Sequence, residues 1–375
     1  MRTGPIVLDA RTASPHFPGI GRTVVGLARA LATGPTAPKM MLIHGPNPDP
    51  RLPLAQWPAV TCRSSPFSLR QQWEVRAGLR RAGAALYHSP FYLMPVAPGT
   101  PAVVTCNDLI PLTIPGLFGL PARLAYRMAH ALAFRAASAI VVPSVSTRDD
   151  VTRLFPRQCR KLEVVPHGWE FTEATDDERL LRMLRERGVP GAYVLTVGTN
   201  KPHKNLRLLA EAWEAMLNRR RGPRSGATLV LAGPRDPRFD EGGPAGERLK
   251  AGGHLVSLGP VSDEALGALY RCATLCVCPS RAEGFGLPVV EAMGLGAPVV
   301  CSRIPALVEV AGEAAAMFAP EDADALGRLL EHLLEARDER ESMRQAGFAR
   351  AAAFTWARAA EAMSGVYERV GGGRP

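Results

Sequence analysis

Glu283 and Glu291, with seven residues between them, bracket Gly284-Phe285-Gly286-Leu287-Pro288-Val289-Val290. Residues 273–278 form an apolar run bounded by Pro279-Ser280, which predicts a buried strand leading into this stretch. Pro288 stands at a first helical position, so a short helix follows. A strand, a Gly-rich turn and a helix start offer unpaired backbone N–H groups to an anion, most naturally a phosphate. Gly284 and Gly286 carry no Cβ and allow that backbone to approach closely. Carboxylates are poor partners for phosphate but good acceptors for sugar hydroxyls. The stretch therefore suits a ligand with phosphate at its middle and polyols at both ends, a nucleotide sugar.

A second anion site is predicted at Thr199-Asn200-Lys201-Pro202-His203-Lys204-Asn205, between a strand at 193–198 and a helix beginning at Leu206. Two lysines and a histidine at a helix N-terminus oppose the macrodipole by up to ~1 kcal/mol, and no acid appears before Glu211. An anion held between the lysines and the helix start would resolve that conflict. Near the N-terminus, the strand Ile6-Val7-Leu8 ends at Asp9 and a Gly/Pro-rich loop leads to Gly19-Ile20-Gly21-Arg22 and a helix over 24–32. Gly19 and Gly21 could present backbone to a ligand. Val24 occupies the place of a third glycine, so the dinucleotide fingerprint is incomplete. A strand at 102–106 ends in Asn107-Asp108-Leu109. Asp322 and Asp324 sit at a helix start, where Asp serves as a cap rather than a metal ligand.

The E-x7-E spacing with GFGLP inside it resembles the signature of the group-1 (family 4) retaining glycosyltransferases of the GT-B fold, mannosyltransferase-like subgroup. The resemblance implies that Glu283 contacts the donor sugar, that Glu291 holds the ribose, and that Gly284, Phe285, Gly286 and Leu287 cradle the phosphates. It implies that the loop carrying Gly19 and Gly21 faces the donor phosphates and that the turn at 259–261, with Val261, touches the base. The family pattern Gly-Arg-x-x-x-x-Lys is matched by Lys204, with Thr199 replacing the Arg and Asn200 next to it. Where family members carry His-Asp-Leu near the donor sugar, this chain has Asn107, an amide that can hydrogen-bond but cannot titrate near neutral pH. Glu283, Lys204 and Asn107 are thus the catalytic candidates. The implied donor is a GDP-, UDP- or dTDP-linked sugar, with no cofactor or metal required.

A chain of 375 residues, 46% hydrophobic and 21% charged, is expected to make two globular domains. No segment approaches 18 uninterrupted apolar residues and the N-terminus lacks a signal pattern, so the expected location is cytoplasmic. The seven cysteines lack metal-type pairing and read as small buried hydrophobes or isolated thiols. Charge is uneven: residues 1–168 hold 19 Lys/Arg and 7 Asp/Glu, a net +12, whereas the remainder holds 26 and 28, a net −2. A basic half implies an acidic partner. The helix predicted over 121–137 places Leu124, Met128 and Leu132 on one face and Arg123, Arg127, His130 and Phe134 on the other. The basic face is the expected contact with an anionic membrane at the cytoplasmic side, where a lipid-linked acceptor would be met. Glycan or lipid-linked acceptors, not nucleic acid, are the expected partners.

Alternating strands and helices predict α/β architecture: two doubly wound, parallel-sheet, Rossmann-like domains facing across a cleft. The expected division is an acceptor-binding domain over 1–170, a nucleotide-sugar-binding domain over 171–353, and a helix over 354–375 that crosses back to the first domain. Residues 169–177 are the expected linker. Each singled-out loop follows a strand's carboxyl end, where ligands bind in such sheets. The reaction implied is retaining transfer of a hexose, mannose-like, in surface polysaccharide or glycoconjugate synthesis. The alternatives are another GT-B nucleotide-sugar enzyme of epimerase or phosphorylase type, or a degenerate binding subunit, suggested by Asn107 and Thr199.

Overall fold

The computed structural model describes residues 4–14, 16–34, 38–114, 116, 118–171, 177–220 and 226–372. The chain divides into two compact units, residues 1–168 with 354–375, and residues 169–353. The first unit holds seven strands: β1 (Ile6–Asp9), β2 (Met40–His44), β3 (Ala59–Thr61), β4 (Leu86–Ser89), β5 (Ala102–Thr105), β6 (Ala139–Val142) and β7 (Leu162–Val164). They form one parallel sheet in the order β3-β2-β1-β4-β5-β6-β7. Successive side chains point to opposite faces, so Leu8, Leu42, Leu86 and Val103 enter one core while Val7, Ile43, Tyr87 and Val104 enter another. Both faces are covered, as a doubly wound sheet requires.

Helices of this unit are α1 (Pro18–Thr33), α2 (Gln71–Arg81), α3 (Ile110–Thr113), α4 (Leu120–Ala136) and α5 (Val145–Leu154). The sequence predicts a loop through residue 22, but α1 already begins at Pro18, whose fixed φ suits a first turn. Gly19 and Gly21 therefore lie inside the helix. Gly21 is buried where a Cβ would stand 3.1 Å from the carbonyl of Thr12, on the 3-10 turn Ala10–Thr12. That turn is fixed by a buried ion pair, Arg11 Nη2 to Asp9 Oδ2 at 2.6 Å, with the Tyr87 hydroxyl donating to the same oxygen at 2.7 Å.

The orientation of α4 corrects the sequence reading. His130 and Phe134 are buried, while Leu120, Leu124, Met128 and Leu132 are exposed. Aromatic contacts explain the choice of inner face. The His130 ring stacks on Tyr92 at 4.1 Å and lies 4.2 Å from Tyr126, and Phe134 meets Phe155 edge-on at 5.1 Å. Arg123 and Arg127 reach backbone carbonyls of Leu112 and Leu154 rather than forming a basic stripe with His130. Burial pushes the pKa of His130 down to about 4, so it adds no charge at neutral pH.

The second unit repeats the plan with β8 (Tyr193–Val197), β9 (Thr228–Ala232), β10 (Leu255–Gly259), β11 (Leu275–Cys278), β12 (Val299–Ser302) and β13 (Ala315–Phe318). Its parallel sheet runs β10-β9-β8-β11-β12-β13. Its helices are α6 (Asp177–Glu186), α7 (Leu206–Arg220), α8 (Gly243–Ala251), α9 (Asp263–Cys272), α10 (Leu287–Gly294), α11 (Pro305–Ala311), α12 (Ala323–Glu335) and α13 (Arg337–Ala351). Asp322 caps α12, its Oδ1 accepting from the Ala325 N–H at 2.7 Å. Trp169 belongs to this unit rather than to a linker: its ring packs on Gly294, where a Cβ would collide with it, and its indole N–H donates to Ala351 O at 2.9 Å. Residues 172–176 of the expected linker lie outside the described residues.

The last helix, α14 (Trp356–Gly371), packs in the first unit. Trp356, Met363, Val366 and Tyr367 join the core that contains Leu8 and Val24. Its deepest tie is polar: His88 bonds the Tyr367 hydroxyl through Nδ1 at 2.7 Å and the Thr105 hydroxyl through Nε2 at 2.8 Å. Among the described residues no helix is long and apolar enough to cross a membrane.

Candidate active site

In the second unit, β11 ends at Cys278 and the chain turns through Pro279 and Ser280 into the loop before α10. Gly286 caps that helix at φ 107°, a left-handed conformation, and a Cβ there would stand 2.5 Å from the Leu307 side chain. The turn thus needs glycine twice over. Leu287 and Pro288 follow as the first two helical residues, and the amides of Val289 and Val290 donate to the carbonyl of Gly286 at 2.9 and 3.3 Å. Phe285 is buried.

Glu283 is held from two sides. Lys204 Nζ and Ser280 Oγ each donate to its Oε1 at 2.6 Å. The lysine and glutamate side chains are 17% and 10% exposed. Burial would raise the pKa of Glu283, but the charge of Lys204 and these two hydrogen bonds outweigh it and hold the carboxyl below its ordinary value. The sequence shows no acid near the cationic start of α7; Glu283 supplies one from 79 positions away. His203 does not add to the positive charge, because burial, then the charge of Lys204, pushes its pKa down to about 4. Its Nδ1 is a buried polar atom with no hydrogen-bond partner.

Two features aim the Lys204 loop. Asn205 adopts φ 57° and donates its side-chain amide to Pro320 O at 2.9 Å. The Arg281 N–H donates to His203 O at 2.7 Å and ties this loop to the one bearing Glu283. A cleft opens beside them, lined in part by Gly198, Thr199, Asn200, Lys204, Cys278 and Ser280. Asn200 is also tied within the protein: its amide nitrogen donates to Asp236 O at 3.0 Å and Phe239 O at 2.6 Å, and its oxygen accepts from Asp236 N at 2.7 Å. It brackets the loop that walls the cavity.

Glu291 is buried on α10 and accepts the Tyr270 hydroxyl at 3.0 Å on Oε2. Val261, beyond the end of β10, is not part of the cavity lining. Gly19, Gly21 and Asn107 belong to the first unit. Asn107 follows β5, donates to Pro90 O at 3.2 Å and accepts from His167 Nε2 at 3.2 Å. That contact assigns the Nε2–H tautomer, since an amide oxygen only accepts. Burial pushes the pKa of His167 down to about 4. Ser280, Tyr270 and His167 are missed from sequence alone; only Ser280, three residues before Glu283, carries a local signal. Among the described residues there is no cluster of three or more His, Cys, Asp or Glu able to hold a metal ion.

The family model described as "Glycosyl transferases group 1" matches residues 191–336, and "Glycosyltransferase Family 4" matches residues 18–172. O-antigen chain mannosyltransferase B of Escherichia coli is 30% identical over 360 residues, covering 90% of this chain and 92% of that protein. Among solved structures, Anabaena Alr3699/HepE in complex with UDP-glucose superposes with a TM-score of 0.74 at 17% identity, over 97% of this chain and 99% of that one. WaaG, a glycosyltransferase involved in lipopolysaccharide biosynthesis, gives a TM-score of 0.74 at 15% identity, over 98% and 100%.

Proposed function

The chain belongs to the group 1, family 4 glycosyltransferases, and we propose that within that family it moves a mannose-like hexose, with retention, from a nucleotide-diphosphate sugar. The acceptor is a glycan or a lipid-linked saccharide of surface polysaccharide or glycoconjugate synthesis, in keeping with the mannosyltransferase relative. One observation carries the reading: a buried Lys204–Glu283 pair stands beside a cavity and a glycine-capped helix start at the carboxyl edge of the second sheet. A cation beside the positive end of a helix suits a diphosphate, and a carboxylate next to them suits the hydroxyls of the sugar it carries. The superposition on a UDP-glucose complex shows a like fold, and the nucleotide-sugar donor is proposed here by analogy.

In this reading the bond from the anomeric carbon to the phosphate oxygen breaks as the acceptor hydroxyl attacks the same face. The acceptor's proton passes to the departing phosphate. Lys204 and the amides of residues 285–287 stabilise the charge that develops there, and Glu283 holds the sugar. Glu291 binds the ribose hydroxyls, while Thr199 and Val261 border the donor. Asn107 acts as a fixed hydrogen-bonding group, not as an acid or base.

The test is transfer, and donor hydrolysis without acceptor, by the purified chain with GDP-, UDP- and dTDP-linked hexoses. A donor at 100 times its dissociation constant should add ~2.7 kcal/mol of stability. Glu283→Gln and Lys204→Ala should each reduce turnover at least ~100-fold. Near-normal transfer by either variant would contradict these roles.

A further inference from the structure

The carboxylate of Glu283 is bonded through one oxygen. Lys204 Nζ and Ser280 Oγ both donate to Oε1 at 2.6 Å, and the Cys278 sulfur stands 3.9 Å from the same atom. Among the described residues Oε2 accepts no hydrogen bond, yet it is not one of the buried unbonded atoms, so it reaches solvent. One oxygen is taken up by the protein and the other is left to a ligand.

The two donors to Oε1 are not equivalent. Lys204 carries a point charge on a flexible stem with three rotatable donors, and its side chain is 17% exposed. In the transfer reaction it is also the cation that meets the diphosphate, so an entering donor draws it away from Glu283. Ser280 has no such freedom. It is fully buried, two residues beyond the end of β11 at Cys278. A carboxylate only accepts, so the hydroxyl proton of Ser280 lies on its bond to Glu283. The Cys278 thiol then donates to the hydroxyl oxygen, 3.6 Å away. Burial pushes the pKa of Cys278 up to about 11, and the thiol keeps the proton that this bond needs. A hydroxyl-to-carboxylate bond as short as that of Ser280 is charge-assisted and stronger than a neutral one.

We infer that Ser280 is a positioning residue: it keeps Glu283 aimed while Lys204 turns to the diphosphate, and it leaves Oε2 alone to read one hydroxyl of the donor hexose. The inference rests on the transfer reading given above and narrows it. A carboxylate with both oxygens open could pair with two neighbouring hydroxyls at once. Glu283 presents one oxygen, so its selection among hexoses turns on a single hydroxyl.

Steady-state kinetics with the GDP-, UDP- or dTDP-linked hexose that the parent chain turns over test this. Ser280→Ala and Ser280→Cys should each lower kcat by ~10- to ~100-fold while changing the donor KM by less than ~3-fold. Cysteine fills the space of serine but is a weak donor, so a merely structural role would spare that variant. It also serves if the alanine variant fails to fold. Both variants should keep the thermal shift with the nucleoside diphosphate alone, because Ser280 touches the carboxylate and not the phosphate-binding cation. Deoxy analogues of the donor sugar complete the test. Removal of one hydroxyl should cost the parent chain at least ~10-fold in rate and the Ser280 variants much less, since that contact is already loosened in them. Every other deoxy analogue should lose the same factor in all three proteins. Parental rates in both variants, a lower melting temperature with kcat intact, or coupling of Ser280 to no hydroxyl or to two alike would overturn the inference while the transfer reading stands. No transfer by the parent chain with any of the donors would overturn both.

Discussion

At Glu291 one carboxylate oxygen is fixed by the Tyr270 hydroxyl, donated from α9 across 21 positions of sequence. Tyr270 is fully buried and its ring meets Phe171 edge-on at 5.8 Å, so the hydroxyl cannot follow a carboxylate that moves. Its role is to point Glu291. If Glu291 holds ribose hydroxyls remote from the reacting carbon, Glu291→Ala should raise the donor KM by more than it lowers kcat. Tyr270→Phe should produce a smaller change of the same kind, since it removes one hydrogen bond and leaves the ring. Steady-state kinetics with varied donor decides this; a loss confined to kcat would place Glu291 at the chemistry instead. The two glutamates were legible in the sequence because their spacing is local. Tyr270, Ser280 and the bracketing role of Asn200 were not fully so, because each is defined by a contact that the fold creates.

Elements were read best where one residue pattern had one solution. The apolar run before Glu283 and the glycine-rich turn after it admit little besides a buried strand and a helix start, and β11 and α10 stand there. The sequence reading lacks β2 and β3, which lie at one side of the first sheet in a stretch rich in proline. For α4 the periodicity was right and the inner face wrong. Both faces of that helix can be buried, and the choice rests on Tyr92, Phe155 and other rings distant in sequence. The Asp322 cap is a clean case of local reading, and it has a local consequence. Asp322→Ala should cost about 1 kcal/mol of stability by removing the acceptor of the Ala325 amide. Turnover should not change, whether or not a divalent ion is supplied. A loss of turnover at unchanged melting temperature would give this aspartate a role at the donor instead.

For the molecule as a whole, the first unit contains three histidines that burial holds neutral: His88 with its pKa pushed down to about 3, and His130 and His167 down to about 4. Above pH 6.5 neither folded nor unfolded chain protonates them and they contribute nothing to the pH dependence. As pH falls below that, the unfolded chain takes up protons first, so stability declines, by up to ~1.4 kcal/mol per unit for each histidine, and the decline ends near the folded values. Urea unfolding at pH 7 and pH 5, where carboxylates are largely ionised in both states, should show a lower midpoint at pH 5. An unchanged midpoint would mean that the histidines titrate in the folded protein. The central claim concerns the second unit, where Lys204, Glu283 and Glu291 are proposed to hold a donor whose hexose leaves with its configuration kept. The most direct measurement follows the anomeric proton by NMR while the chain turns over GDP-α-mannose with a saccharide acceptor. The account predicts an α-linked product that Glu283→Gln all but abolishes. A β-linked product, or an α-linked product formed equally well by that variant, would contradict it.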